Sequence, residues 1–107
     1  MTFYIKQNDT SPVLRATLQD ASGTAINVAG SSVRFHLRFA RSGVTKVDAA
    51  ATIIDGENGI VDYEWIAADT DTNGTFQGEF EVTYSDGSVE TFPNDGYFLV
   101  NVTDDLA

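Results

Sequence analysis

The sequence predicts an all-β sandwich. Three observations carry the prediction: side chains alternate apolar and polar with a period of two, turn residues recur at short intervals, and no helical stretch of any length stands between them. Alternation of this kind marks strands with one buried and one wet face. "VRFHLRFA" places Val33, Phe35, Leu37 and Phe39 on one face and Arg34, His36 and Arg38 on the other. "TFQGEFEVTY" places Phe76, Gly78, Phe80, Val82 and Tyr84 opposite Thr75, Gln77, Glu79, Glu81 and Thr83. "VDYEW" points Val61, Tyr63 and Trp65 inward, "YFLVNV" offers Phe98, Val100 and Val102, and "LRATL" offers Leu14, Ala16 and Leu18. Turn signals separate these runs, among them Asp20 to Gly23, Arg41-Ser42-Gly43, Asp55 to Gly59 and Pro93-Asn94-Asp95-Gly96. In "YSDGSVETF", Asp86-Gly87 supplies the left-handed residues of a tight hairpin. "VDAAATII" carries alanines that favour helix, but it is short and runs into Asp55-Gly56, so it reads as strand.

Strands are expected at 3–6, 13–19, 33–40, 46–54, 60–66 and 75–84, with a last strand, 88–102, interrupted near Pro93. That is about seven antiparallel strands, with residues 25–28 as a further edge piece, at the spacing of a sandwich or barrel. The 107 residues imply one domain spanning 1–107. A chain of this length buries roughly two-thirds of its unfolded surface, enough for one core without staples. There is no cysteine, so the sandwich has no disulfide and the chain has no thiolate metal ligand or thiol nucleophile. No run approaches the ~18 apolar residues of a membrane helix. The N-terminus "MTFYIKQNDT" lacks a basic region followed by an apolar one, so no signal peptide is expected, and the N-x-T triplets at Asn8, Asn73 and Asn101 read as chance.

"DTDTNG", Asp69 to Gly74, opens like a calcium loop. An EF-hand needs a bidentate Glu at its twelfth position, which here is Phe80, and it needs flanking helices. The residues after Gly74 read as a strand, so Asp69, Asp71 and Asn73 are at most a weak cation site, and no metal or other cofactor is expected. The alternative is a turn in which Asp and Asn side chains bond nearby amides. In immunoglobulin-type sandwiches this corner carries a Tyr two residues before a Cys. Phe76 and Gly78 occupy that spacing without the hydroxyl or the sulfur. The fold expected is therefore an immunoglobulin-like sandwich centred on aromatics, with Trp65, Phe35, Phe39, Phe76 and Phe80 at its middle. Strands 33–40 and 75–84 are expected to be antiparallel neighbours, setting Arg34, His36 and Arg38 against Gln77, Glu79 and Glu81.

Sixteen acids against six bases give a net charge of −10, which opposes binding to phosphate backbones, so no nucleic-acid partner is expected. His36 is the only histidine and is expected at the surface, on the polar face of its strand between two arginines. Asp62 with Glu64, and Glu79 with Glu81, alternate outward, where solvent keeps carboxylates ordinary. No phosphate loop, GxSxG or HExxH occurs, so no enzyme is expected. The exposed aromatic candidates are Phe3, Tyr4, Phe92 and Tyr97, the last two flanking the kink at Pro93. Phe92 and Tyr97 either close the end of the core or form a contact patch. Free sheet edges recruit partners, so Phe3, Tyr4, Phe92, Pro93 and Tyr97 are the expected partner interface.

Trp65, "DTDTNGTFQGEFEVTYSDGSVETFP" and "GYFLVNV", with the N-terminal "FYIKQNDTSPVLRATLQDASGTAINVAGSSVRFHLR", resemble the N-terminal domain of the baseplate upper protein of tailed bacteriophages. The resemblance covers nearly the whole chain and rests on turn and core residues. It implies an immunoglobulin-like fold and a structural role in a virion, at the tail, baseplate or neck, as an assembly or fibre-anchoring subunit among other virion proteins in symmetric copies. Relatives continue into receptor-binding parts, whereas this sequence stops at Asp104-Asp105-Leu106-Ala107. The competing expectations are a capsid decoration or head-fibre-anchoring protein, a host-surface carbohydrate-binding module, and a calcium-stabilised adhesin-like domain.

Overall fold

The computed structural model describes residues 1–106. They form two sheets packed face to face, an immunoglobulin-like sandwich. Nine strands appear among the described residues: β1 (Thr2–Lys6), β2 (Leu14–Thr17), β3 (Ser32–Phe39), β4 (Thr45–Ala50), β5 (Thr52–Asp55), β6 (Ile60–Tyr63), β7 (Gly74–Thr83), β8 (Val89–Phe92) and β9 (Phe98–Thr103). A 3₁₀ turn, Ala67–Asp69, links β6 to β7. The front sheet has the order β1-β9-β7-β3-β4, with β8 also on β7, and the back sheet has the order β2-β6-β5.

The count exceeds the expected seven for two reasons. The 46–54 segment breaks at Ala51, so that β4 completes the front sheet and β5 crosses to the back one. The last segment divides at the Pro93 kink into β8 and β9, which lie in succession along β7. Residues 25–28 make only a bridge, Gln19 opposite Ala25, although Val28 is fully buried. One pairing also departs from the expectation of antiparallel strands throughout. β1 runs parallel to β9, Thr2 beside Leu99 through Lys6 beside Thr103.

The expected β3–β7 ladder is present, with Arg34 opposite Glu81, His36 opposite Glu79 and Arg38 opposite Gln77. Beneath it lies an aromatic core. The Phe35 ring sits 4.4 Å from Tyr63, 5.6 Å from Trp65, 5.2 Å from Phe80 and 6.2 Å from Phe98. Phe76 is fully buried against the half-buried Phe39. Such pairs add to the ordinary gain from burying rings. Gly78, where an immunoglobulin domain carries a cysteine, has a specific job: a Cβ there would lie 2.6 Å from the Phe98 ring. The glycine is the space that Phe98 fills. Gly59 is fixed by its backbone instead, with φ +68° and the Ile26 carbonyl oxygen 2.6 Å from where a Cβ would stand. Its amide donates to the Gly56 carbonyl, closing the β5–β6 turn.

Candidate functional site

The Asp69–Asn73 stretch is a corner and not a ligand set. Asp69 is buried, and its Oδ2 accepts from the Tyr63 hydroxyl (2.6 Å) and the Ile66 amide (3.0 Å). This bond pins β6 to the corner and does the work of the hydroxyl that Phe76 lacks. Burial, aided by the neighbouring Asp69, pushes the Tyr63 hydroxyl well above the ordinary phenol range. Asp71 points elsewhere, accepting from Lys46 Nζ at 2.5 Å, with the Lys46 ammonium and the Thr72 hydroxyl holding its carboxyl below the usual range. Asn73 donates to Asp104. Among the described residues no group of three or more His, Asp or Glu side chains is placed to hold a metal ion.

The expected interface residues divide. Phe92 is 2% exposed and paired opposite Phe80, so it belongs to the core and not to a surface patch. Phe3 is half-buried with its ring stacked at 5.9 Å on Trp65, which also removes it from the exposed set. Pro93 is half-buried where β8 ends. Tyr4 (65%), on β1, and Tyr97 (48%), just before β9, remain exposed, and β1 pairs with β9. Tyr4 stands beside Asn101 on the outer surface of the front sheet, and exposed Met1 accepts through its carbonyl from the Leu99 amide. Met1 and Gln7 turn their backbone groups toward β9, so by alternation Thr2 and Tyr4 turn theirs toward the free edge. Asn101 Oδ1, on the same surface, is buried without a donor among the described residues.

One carboxylate departs from expectation. Asp62 is 7% exposed and lies under Arg15, with Nε to Oδ1 at 2.8 Å and Nη2 to Oδ2 at 2.9 Å. The Arg15 guanidinium holds its carboxyl below the usual carboxylate range. Asp48, on β4, takes Arg34, with Nε to Oδ1 at 2.8 Å and Nη2 to its backbone carbonyl at 2.9 Å. Arg34 therefore bonds to β4, although its register partner is Glu81 on β7. His36 is not fully exposed. It is half-buried between Asp48 (Nε2 to Oδ1, 3.2 Å) and Glu79 (Nδ1 to Oε1, 3.7 Å).

Those residues floor a groove of about 470 Å³ on the outer surface of the front sheet. Its walls are the β3–β4 turn at Gly43 and the β8–β9 kink at Gly96 and Tyr97. Arg38 spans it, donating from Nε to Gln77 Oε1 at 2.7 Å while its guanidinium carbon lies 5.9 Å from the centre of the Tyr97 ring. A second cleft, about 390 Å³, opens between β2 and the kink, with Met1, Ala16, Pro93 and Tyr97 along its rim. Sequence reasoning missed the groove, because its floor comes from three strands and its walls from two separate turns.

No protein-family model matches the chain, and no curated protein does. Among solved structures, CopC from Methylosinus trichosporium OB3b is similar, with a TM-score of 0.55 and 14% identity over 99% of this chain and 87% of that one. At that identity the likeness speaks to the β-sandwich alone.

Proposed function

We propose that this chain is a non-enzymatic structural subunit of a tailed-bacteriophage particle, docked on a neighbouring virion protein through the β1–β9 flank of its front sheet. The observation that carries the reading is the make-up of that flank. Exposed Met1, Tyr4 and Tyr97 lie on or beside the two paired strands, at an edge whose Thr2 and Tyr4 backbone groups face outward. Apolar side chains beside unpaired backbone groups are what a partner strand or sheet covers. β1 carries Lys6 and no acid, in a chain with a net charge of −10, so it is an edge that another acidic protein can approach with little repulsion. The resemblance to the baseplate upper protein domain supplies the virion context, and symmetric repetition would let one modest contact suffice.

Cryo-electron microscopy of the intact particle tests this. The expected result is density for this sandwich in a symmetric ring at tail, baseplate or neck, with Tyr4 and Tyr97 against a neighbour. Its absence from purified particles, or a ring in which the β1–β9 flank faces solvent, overturns the proposal. A position on the capsid would favour the decoration role instead.

A further inference from the structure

The groove on the front sheet meets the docking flank only at Tyr97 and has a chemistry of its own. Its floor is the outer surface of β3 and β7, with Thr45 and Asp48 of the edge strand β4 beside them. Both edges of each strand are already paired, β3 with β4 and β7, and β7 with β3, β8 and β9. β3 and β7 thus offer no free edge to an extended peptide, so a ligand lying over them is read by side chains. Those side chains are held in place. Arg38 is braced on Gln77, and His36 lies between Asp48 and Glu79. Three groups keep unused capacity among the described residues: the Gln77 amide nitrogen, the outer nitrogens of Arg38, and the Glu79 carboxylate, which accepts no hydrogen bond and is 3.7 Å from His36.

Donors and acceptor are thus set out on two neighbouring strands, Gln77 and Glu79 on β7 and Arg38 opposite Gln77 on β3. Gln77 and Glu79 are two residues apart on β7, a separation of roughly 6.6 Å along the strand. That spacing leaves room for a sugar ring with one hydroxyl turned toward each side chain. Tyr97 adds a ring and a hydroxyl at the wall, half exposed. Gly43 and Gly96 add no side chain at their points on the rim, which keeps the groove open there. The volume, about 470 Å³, is in the range of small-molecule sites. Charge decides between sugar classes. Asp48 is compensated by Arg34 and Glu79 is offset in charge by Arg38, so the groove has no surplus of positive charge, and the strongly acidic chain around it repels a phosphorylated, sulfated or sialylated sugar. We infer that this groove is a binding site for a neutral saccharide, its hydroxyls bridging Glu79 to Gln77 and Arg38 and its ring seated beside Tyr97.

The test is a titration of the ¹⁵N-labelled full chain, followed by NMR, with glucose, galactose, mannose and N-acetylglucosamine and short neutral oligomers of each. The expected result is fast-exchange shifts of the amides around Gln77, Glu79 and Tyr97 with about millimolar affinity. Glu79→Ala and Tyr97→Ala should each weaken binding about tenfold, while Tyr4→Ala leaves it unchanged. Both altered side chains are partly exposed, so dispersed spectra of the free variants confirm that they fold. The inference is overturned if no member of the panel shifts these amides. It is also overturned if the shifts persist equally in both variants, or if sialyllactose or glucose 6-phosphate binds more tightly than the neutral sugars. Tyr97 borders both surfaces, so the two readings are told apart by Glu79→Ala, which lies off the flank and should leave incorporation into particles intact, and by Tyr4→Ala, which lies off the groove.

Discussion

The centre and the flank of the front sheet are made from the same alternation, but they use it differently. In β3 and β7 the inward faces are aromatic and aliphatic, and the outward faces carry arginine, histidine, glutamate and glutamine, with Arg38 bonded to Gln77 across the ladder and Arg34 to Asp48 on β4. In β1 and β9 the inward faces are also apolar, yet Tyr4 stands outward and Leu99 is only half covered. An outward polar row needs no partner beyond water. Outward tyrosine on a free edge remains unsatisfied by the fold itself, and this is why the docking surface is assigned to the flank and not to the centre.

The comparison can be broken by substitution, beginning with the greatest effect. Phe35→Ala empties the point where four other aromatic rings meet, and should cost about 3–5 kcal/mol by denaturant titration. A loss below 1 kcal/mol would mean that the centre is not where stability is concentrated. Gly78→Ala should cost about 1–3 kcal/mol, because its methyl would strike the Phe98 ring. Combining it with Phe98→Leu should recover part of that loss, and strictly additive effects would show that the two sites do not share one space.

Tyr63→Phe should cost about 1–2 kcal/mol by leaving the buried Asp69 oxygen without its hydroxyl donor. The same change should alter the alkaline limb of stability. Burial and the Asp69 carboxylate raise the Tyr63 ionisation, and partial burial and Glu90 push Tyr84 up to about 12. A group whose ionisation is raised on folding gives stability that is complete below its unfolded value, about 10 for a phenol. That stability is lost as pH rises from there through the folded value. Unfolding free energy should therefore fall above about pH 10, with a shallower slope in Tyr63→Phe, while an identical slope in both proteins would remove Tyr63 from the account. At the small end, Tyr4→Ala and Tyr97→Ala should change the stability of the isolated chain by no more than about 0.5 kcal/mol. A chelator should leave the melting curve in place, and a displacement of several degrees would return Asp69, Asp71 and Asn73 to consideration as a cation site.

The same division runs through the parts of the fold that were legible in the sequence. The β3–β7 register could be read because each residue's neighbours two positions away share its environment, so the pattern repeats for eight residues. The aromatic core could be read for the same reason. The parallel closure of β1 on β9 could not, because its partners are nearly a hundred residues apart and no local pattern distinguishes parallel from antiparallel pairing. Phe92 and Phe3 looked exposed because each sits near a break in the alternation, and their burial depends on Phe80 and Trp65 approaching from elsewhere. Asp62 looked solvated because period two placed it outward, while Arg15 arrives from the neighbouring strand to cover it. The groove has no signature, since its walls are turns whose residues were chosen for geometry.

The parallel run of β1 beside β9 also gives the domain a polarity. Thr2 lies beside Leu99 and Lys6 beside Thr103, so the chain enters at one pole of the sandwich and, after nine strands, leaves at the other. A hairpin closure would have returned both ends to the same pole. Domains joined to such a sandwich through its first and last strands would succeed one another like beads threaded on a string, each link extending the reach of the array instead of folding it back.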